Sequence, residues 1–125
     1  MIYGIGTDLV DPARITRSLE RYGERFARRV LAESEWPGYL EHTKPAVFLA
    51  KRFAAKEAFS KATGTGLRAP VIFGNIAIQH DTQGKPYFQF YQELAQWVRQ
   101  RGIIRHHLSI SDELTLASAF VILEK

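Results

Sequence analysis

A short apolar strand, roughly Ile2 to Asp8, opens the chain and delivers an acid just before a turn. Asp11 followed by Pro12 reads as a helix N-cap with proline at the first helical position. On the helix that follows, Ile15, Leu19, Tyr22, Phe26 and Val30 fall within about 80° of one another at ~100° per residue, which predicts a core stripe. Arg14, Arg17, Arg21, Arg25 and Arg28 occupy an adjacent stripe. A break at Gly23 would divide this helix in two and bend the arginine row.

Glu35 to Pro45 contains Pro37, Gly38 and Pro45, and predicts a short helix or turn. An alanine-rich helix then runs from about Ala46 to Thr63 and stops at Gly64-Thr65-Gly66. On its wheel Ala50, Phe53, Ala54 and Gly64 share a strip with Glu57, while Phe48, Ala55, Phe59 and Ala62 lie opposite. Apolar residues therefore surround the helix and predict burial on nearly all sides. Period-two alternation in Asn75 to His80 and Tyr87 to Phe90, separated by the turn-rich run Asp81 to Pro86, predicts a hairpin. Glu93 to Arg101 sets Leu94, Trp97 and Val98 on one helical face before Gly102. His107 to Ser111 and Leu116 to Leu123 alternate again and are expected to close an antiparallel sheet. The pattern as a whole predicts an α+β fold, an antiparallel sheet packed on a long central helix.

Composition narrows the class. With 125 residues, 46% of them apolar, the chain suits a single domain over 1–125 with a real core. The absence of cysteine excludes disulfides and thiolate metal sites. Neither a secretory signal nor an unbroken apolar stretch of ~18 residues is present, so the expectation is a soluble, cytoplasmic protein with no membrane attachment. A formal charge of +4 and a pI near 9.6 favour an acidic partner or a polyphosphate substrate without choosing between them.

The candidate chemistry centres on Asp8, Glu57 and Lys61. Glu57 and Lys61 are one helical turn apart, which is also the spacing of an ordinary stabilising surface pair. On a helix apolar all round, however, such a pair is expected to be buried and to serve more than stability. Asp8 could cap a turn, but Asp11 is the better cap, which frees Asp8 for another task. Two hard oxygen ligands suit Mg²⁺ better than zinc, and Lys61 would sit beside the phosphates that the metal holds. Gly64-Thr65-Gly66 is in itself a C-cap signal at the negative end of a helix dipole, so a phosphate there needs Lys61 or a metal. The arginine stripe is either a solvated face or a docking surface. His107, with His106 on the other side of its strand, has a structural as well as a functional reading. A non-catalytic basic module that binds an acidic protein or nucleic acid is the alternative class, but the aromatics lie on core-like stripes rather than between the basic residues.

The segments Gly4-Ile-Gly-Thr-Asp8, Arg52-Phe-Ala-Ala-Lys-Glu57-Ala-Phe-Ser-Lys61-Ala-Thr-Gly64-Thr-Gly66, Gly84-Lys-Pro86 and His107-Leu-Ser-Ile-Ser111 together closely resemble the holo-(acyl-carrier-protein) synthase family of 4'-phosphopantetheinyl transferases. The resemblance covers essentially the whole chain. It implies the 4'-phosphopantetheinyl transferase fold and Mg²⁺-dependent transfer of 4'-phosphopantetheine from coenzyme A to a serine of acyl carrier protein, in support of fatty acid biosynthesis. It also implies a homotrimer with active sites between subunits and no nucleic-acid partner. Position by position, it implies Asp8 and Glu57 as metal ligands and Lys61 on the coenzyme A phosphates. Gly64, Thr65 and Gly66 would form the loop beside the cofactor, with Arg52 a cofactor contact and Pro86 and His107 lining the adenosine part of the cleft. Arg14 would engage the carrier, and Arg21 and Arg25 extend that face. Asp112 departs from the pattern, standing where many members have histidine, and is assigned no role. Arg52 lies about 140° from Glu57 on the wheel, so the two would touch coenzyme A in different sites of the oligomer.

The residues fit this chemistry directly. Attack of a hydroxyl on a diphosphate requires its negative oxygens to be neutralised, which a carboxylate-held Mg²⁺ and a lysine provide. The proton acceptor is either Glu57 itself or a metal-bound water held by Asp8, and both readings stay open.

Overall fold

The computed structural model describes residues 1–125. Its elements are β1 (Ile2–Val10), α1 (Pro12–Tyr22), α2 (Glu24–Val30), α3 (Trp36–Glu41), α4 (Pro45–Thr63), β2 (Ile76–His80), β3 (Pro86–Phe90), α5 (Glu93–Gln100), β4 (Arg105–Glu113) and β5 (Leu116–Glu124). Single 3₁₀ turns occupy Glu33–Glu35 and Phe73–Asn75.

Asp11 caps α1, accepting a hydrogen bond from the Ala13 N–H at 2.8 Å, with Pro12 in the first turn. Gly23, at φ 64°, ends α1 and starts α2, so the expected break is present and the arginine row bends there. The break also corrects the core stripe. Ile15 and Val30 are buried, Leu19 and Phe26 half-buried, but Tyr22 is 53% exposed because it lies in the last turn before the kink. Ala27, outside the stripe, is buried in its place.

β1, β5 and β4 form an antiparallel sheet in that order, with Gly6 opposite Val121, Asp8 opposite Ala119 and Val121 opposite Leu108. The alternation in β5 puts Ala117, Ala119, Val121 and Leu123 into the core against α4. α4 is buried on several sides, from Phe48 and Leu49 to Ala62 and Thr63, as a helix without a polar face must be.

The expected hairpin β2–β3 is present, with Ile78 opposite Phe88, but it forms a separate two-stranded sheet rather than joining the first. The reason lies at its edge. The Phe88 N–H that faces β4 donates to the His106 side chain, Nε2, at 3.0 Å instead of to a β4 carbonyl, and the His106 ring packs on Phe88 and Phe90.

Candidate active site

β1 and α4 meet at unusually close range. A Cβ on Gly6 would lie 1.8 Å from the Ala58 carbonyl oxygen, and one on Gly4 would lie 1.9 Å from that of Ala62. Only glycine allows this approach, and Asp8 is the next residue of the same strand face. The strand thereby delivers the Asp8 carboxylate to the flank of α4 that carries Glu57 and Lys61. The Lys61 ammonium donates to Asp8 Oδ1 at 3.1 Å and to the Thr7 carbonyl at 3.0 Å.

This differs from the expected Glu57–Lys61 pair. Lys61 is tied to β1 rather than to Glu57, and its side chain is 52% exposed against 16% for Asp8. The pair is not buried because the flank of α4 beside Asp8 opens to solvent. Burial and, after it, the Asp8 carboxylate push Glu57 above the ordinary carboxylate range, while Lys61 and Arg14 pull it back. A carboxylate raised by its neighbour, with two cations at the margin, forms a site that a hard dication would relieve. No cluster of three or more potential ligands exists in the chain. Mg²⁺ is the metal that such a sparse set suits, since it retains waters and takes substrate phosphate oxygens beside one or two carboxylates.

Gly64 caps α4 in the left-handed conformation, φ 80°, and Gly66 follows at φ 67°. The Gly66 N–H closes the turn onto the Ser60 carbonyl at 3.1 Å, and the Thr65 hydroxyl donates to the Gly66 carbonyl at 2.8 Å. The loop is thus a rigid C-cap one residue pair beyond Lys61.

Other expected site residues lie elsewhere in the protomer. His107 stands on the face of the sheet opposite α4, its Nε2 2.6 Å from Glu124 Oε2. It is separated from Asp8 by two strands and three registers, roughly 10 Å each way. Pro86 opens β3 opposite His80. The Arg52 Nε donates to Glu35 Oε2 at 2.9 Å, and its guanidinium lies 3.7 Å from the centre of the Phe48 ring. Within one protomer the fold therefore groups Asp8, Glu57, Lys61 and Arg14, and leaves Arg52, Pro86 and His107 apart.

On the arginine face, none of Arg14, Arg17, Arg21 and Arg25 makes an ion pair within the chain, whereas Arg28 pairs with Glu24 at 2.9 Å and lies 4.0 Å from the centre of the Trp36 ring. Arg14 lies over Phe53. Arg25 lines a groove of about 430 Å³ with Ser18, Tyr22, Phe26 and Arg29. Asp112 faces Lys51 of α4 at 3.4 Å.

The most completely bonded polar group carries no periodic signal in the sequence. Glu35 is buried and accepts from Ala32 N–H, Ile78 N–H, Arg52 Nε and Lys56 Nζ. The only hint is Lys56 itself, since a lysine amid alanines on a helix buried all round requires a carboxylate.

A family model described as the 4'-phosphopantetheinyl transferase superfamily matches residues 4–117. A holo-(acyl-carrier-protein) synthase of Nitrosomonas europaea is 84% identical over 125 residues, covering 100% of both chains. The crystal structure of a holo-(acyl-carrier-protein) synthase from Neisseria meningitidis superposes with a TM-score of 0.98 at 50% identity, covering 100% of each chain. One from Bacillus anthracis, in complex with CoA (3',5'-ADP), superposes at 0.81 with 38% identity over 98% of this chain and 96% of that one. The chain belongs to the 4'-phosphopantetheinyl transferase superfamily.

Proposed function

We propose that this protein transfers the 4'-phosphopantetheine group of coenzyme A to a serine of an apo acyl carrier protein, releasing 3',5'-ADP and supporting fatty acid biosynthesis. Membership of the superfamily and similarity to synthases that carry this activity in their names support the reading. The observation that carries it is the junction of Asp8 and Glu57 across β1 and α4, with Lys61 bonded to the strand beside them.

Asp8 and Glu57 are the residues that would hold Mg²⁺, which when bound neutralises the diphosphate oxygens. Lys61 and Arg14 supply fixed positive charge at the rim, where the phosphates of coenzyme A would lie. In the reaction the serine oxygen forms a bond to the phosphorus bearing the pantetheine arm, and the bond from that phosphorus to 3',5'-ADP breaks. The serine proton passes to a base. Glu57, at the junction with Asp8, is one group placed to accept it, and a water held by Asp8 is the other. Gly64, Thr65 and Gly66 hold the loop beside Lys61 rigid.

Homotrimeric assembly with active sites between subunits forms part of the proposal. The outer face of the three-stranded sheet exposes Ile5, Leu9, Leu116 and Phe120, each more than 40% accessible, beside His107. A second copy covering this face would bury the apolar residues, and would let Arg52, Pro86 and His107 of one protomer serve a site built on Asp8 and Glu57 of another. The number three is carried over from the family resemblance. Incubation with coenzyme A, Mg²⁺ and an apo carrier, followed by intact mass of the carrier, tests the activity. A gain of one phosphopantetheine supports it, and an unchanged carrier refutes it.

A further inference from the structure

The one fully buried ion pair lies behind the site, and the reaction proposed above makes no use of it. Lys56 immediately precedes Glu57 on α4, and its side chain is fully buried. Its ammonium has three acceptors: Val30 O at 2.7 Å, Glu35 Oε1 at 2.6 Å and Phe73 O at 3.2 Å. Glu35 in turn takes hydrogen bonds from Ala32 N–H at 2.9 Å, Ile78 N–H at 3.0 Å and Arg52 Nε at 2.9 Å. No buried side-chain polar atom in the chain lacks a partner. Through these bonds one face of α4 is fastened to the end of α2, to both 3₁₀ turns and to β2.

The other side of the helix is held by steric contact. Gly4 and Gly6 bring β1 onto the carbonyls of Ala62 and Ala58, with no space for a Cβ. α4 is therefore clamped between a hydrogen-bonded knot and a backbone contact, and the residue next to the knot is Glu57. A roll of about 10° would carry a group ~5 Å from the helix axis by roughly 1 Å. Metal–oxygen distances tolerate about 0.2 Å. A buried ion pair is weak evidence for stability, because apolar residues of the same volume often do as well. Orientation is what this pair contributes that an apolar filling would not.

We propose that Glu35 and Lys56 are positioning residues for the metal site, fixing the roll of α4 so that the Glu57 carboxylate stays opposite Asp8. The inference rests on the reading of Asp8 and Glu57 as metal ligands. Three acceptors match the three hydrogens of the Lys56 ammonium, so its position is fixed in every direction.

The test is Mn²⁺ binding to the protein without coenzyme, followed by loss of the free-ion EPR signal at a temperature where near-UV circular dichroism is native. Arg52, which loses a partner when Glu35 changes, does not enter a measurement made without coenzyme. Glu35→Gln and Lys56→Met are each expected to weaken Mn²⁺ roughly ten-fold, the range found when groups supporting metal ligands are removed. The two substitutions change the local charge in opposite directions, so weakening in both excludes a simple field effect. The KM for the carrier should stay at the wild-type value. Should Glu35→Gln not fold, Glu35→Asp keeps the charge, shortens the reach and is expected to show the same loss. A variant that is less stable but natively folded, with wild-type Mn²⁺ affinity, has lost only a structural bond and overturns the proposal. Asp8→Ala is the control: it should abolish binding, and if it binds Mn²⁺ normally the metal reading itself is wrong, and this inference falls with it.

Discussion

Gly6 of β1 and Ala58 of α4 touch backbone to backbone, so closely that a Cβ on the glycine would stand 1.8 Å from the Ala58 carbonyl oxygen. This contact sets how far Asp8 projects toward Glu57. Gly6→Ala must push strand and helix apart, and overpacking of this kind costs about 1–3 kcal/mol. Gly74→Ala, which would meet no atom within 4 Å, is the control. Urea unfolding is expected to show the loss for Gly6→Ala alone, and wild-type stability in that variant would contradict the contact.

The reach of the sequence can be judged from the same region. Asp11-Pro12, Gly23 and Gly64 are local signals, each acting through its own φ or its own hydrogen bond, and the helices start and stop where they stand. The alternation of β5 and the all-round apolar character of α4 are likewise local, so the α+β class was legible. Glu35, by contrast, sits in an aperiodic segment, and its four donors come from residues up to 43 positions away. The separation of the hairpin from the main sheet hangs on one side chain, His106, that no strand pattern singles out. Asp8, Glu57 and Lys61 stood out by type and spacing, yet the partner of Lys61 proved to be Asp8, because only the glycine contact brings β1 to that flank.

His106 makes stability depend on pH. Its Nε2 must be unprotonated to accept the Phe88 N–H, and burial, then His107, hold it below its ordinary value of 6.5. The unfolded chain thus takes up the proton first, so the contribution is present above about 6.5 and is lost as pH falls through the lower folded value. His80, lowered chiefly by burial and then by Arg52, acts with the same sign. Urea midpoints at pH 7.5 and pH 5 should show stability falling with acid. His106→Gln should flatten part of that slope, and an unchanged slope would contradict the assignment.

Charge reversal on the arginine face should separate the two substrates. Arg21 and Arg25 make no ion pair within the chain and lie on α1 and α2, so Arg21→Glu and Arg25→Glu should raise the KM for an acidic carrier and leave that for coenzyme A unchanged. An exposed contact is worth about 0.2–1 kcal/mol, which makes each single change a few-fold effect and the double change larger. Steady-state kinetics at low and high salt are the check, with the effect shrinking as screening sets in over ~8 Å. Arg14→Glu, which acts on Glu57 as well, should impair both substrates.

The outer face of the sheet should be an interface. Phe120 is 44% exposed amid Ile5, Leu9 and Leu116, and Phe120→Asp would place a charge on that face. Light scattering is expected to give an oligomer for the wild type and a monomer with little activity for the variant. A fully active monomer would contradict a site shared between subunits.

The central claim is that Asp8 and Glu57, joined across β1 and α4, form the centre of phosphopantetheine transfer. Its most direct measurement is the rate of carrier mass gain for wild type, Asp8→Ala and Glu57→Ala across a range of Mg²⁺ concentrations, with circular dichroism confirming the fold of each variant. Each substitution should cut the rate at least a hundred-fold at limiting Mg²⁺ while the protein stays folded, the scale expected when a positioned group acting in the transition state is lost. Near-normal rates at low Mg²⁺ in both variants would contradict the account.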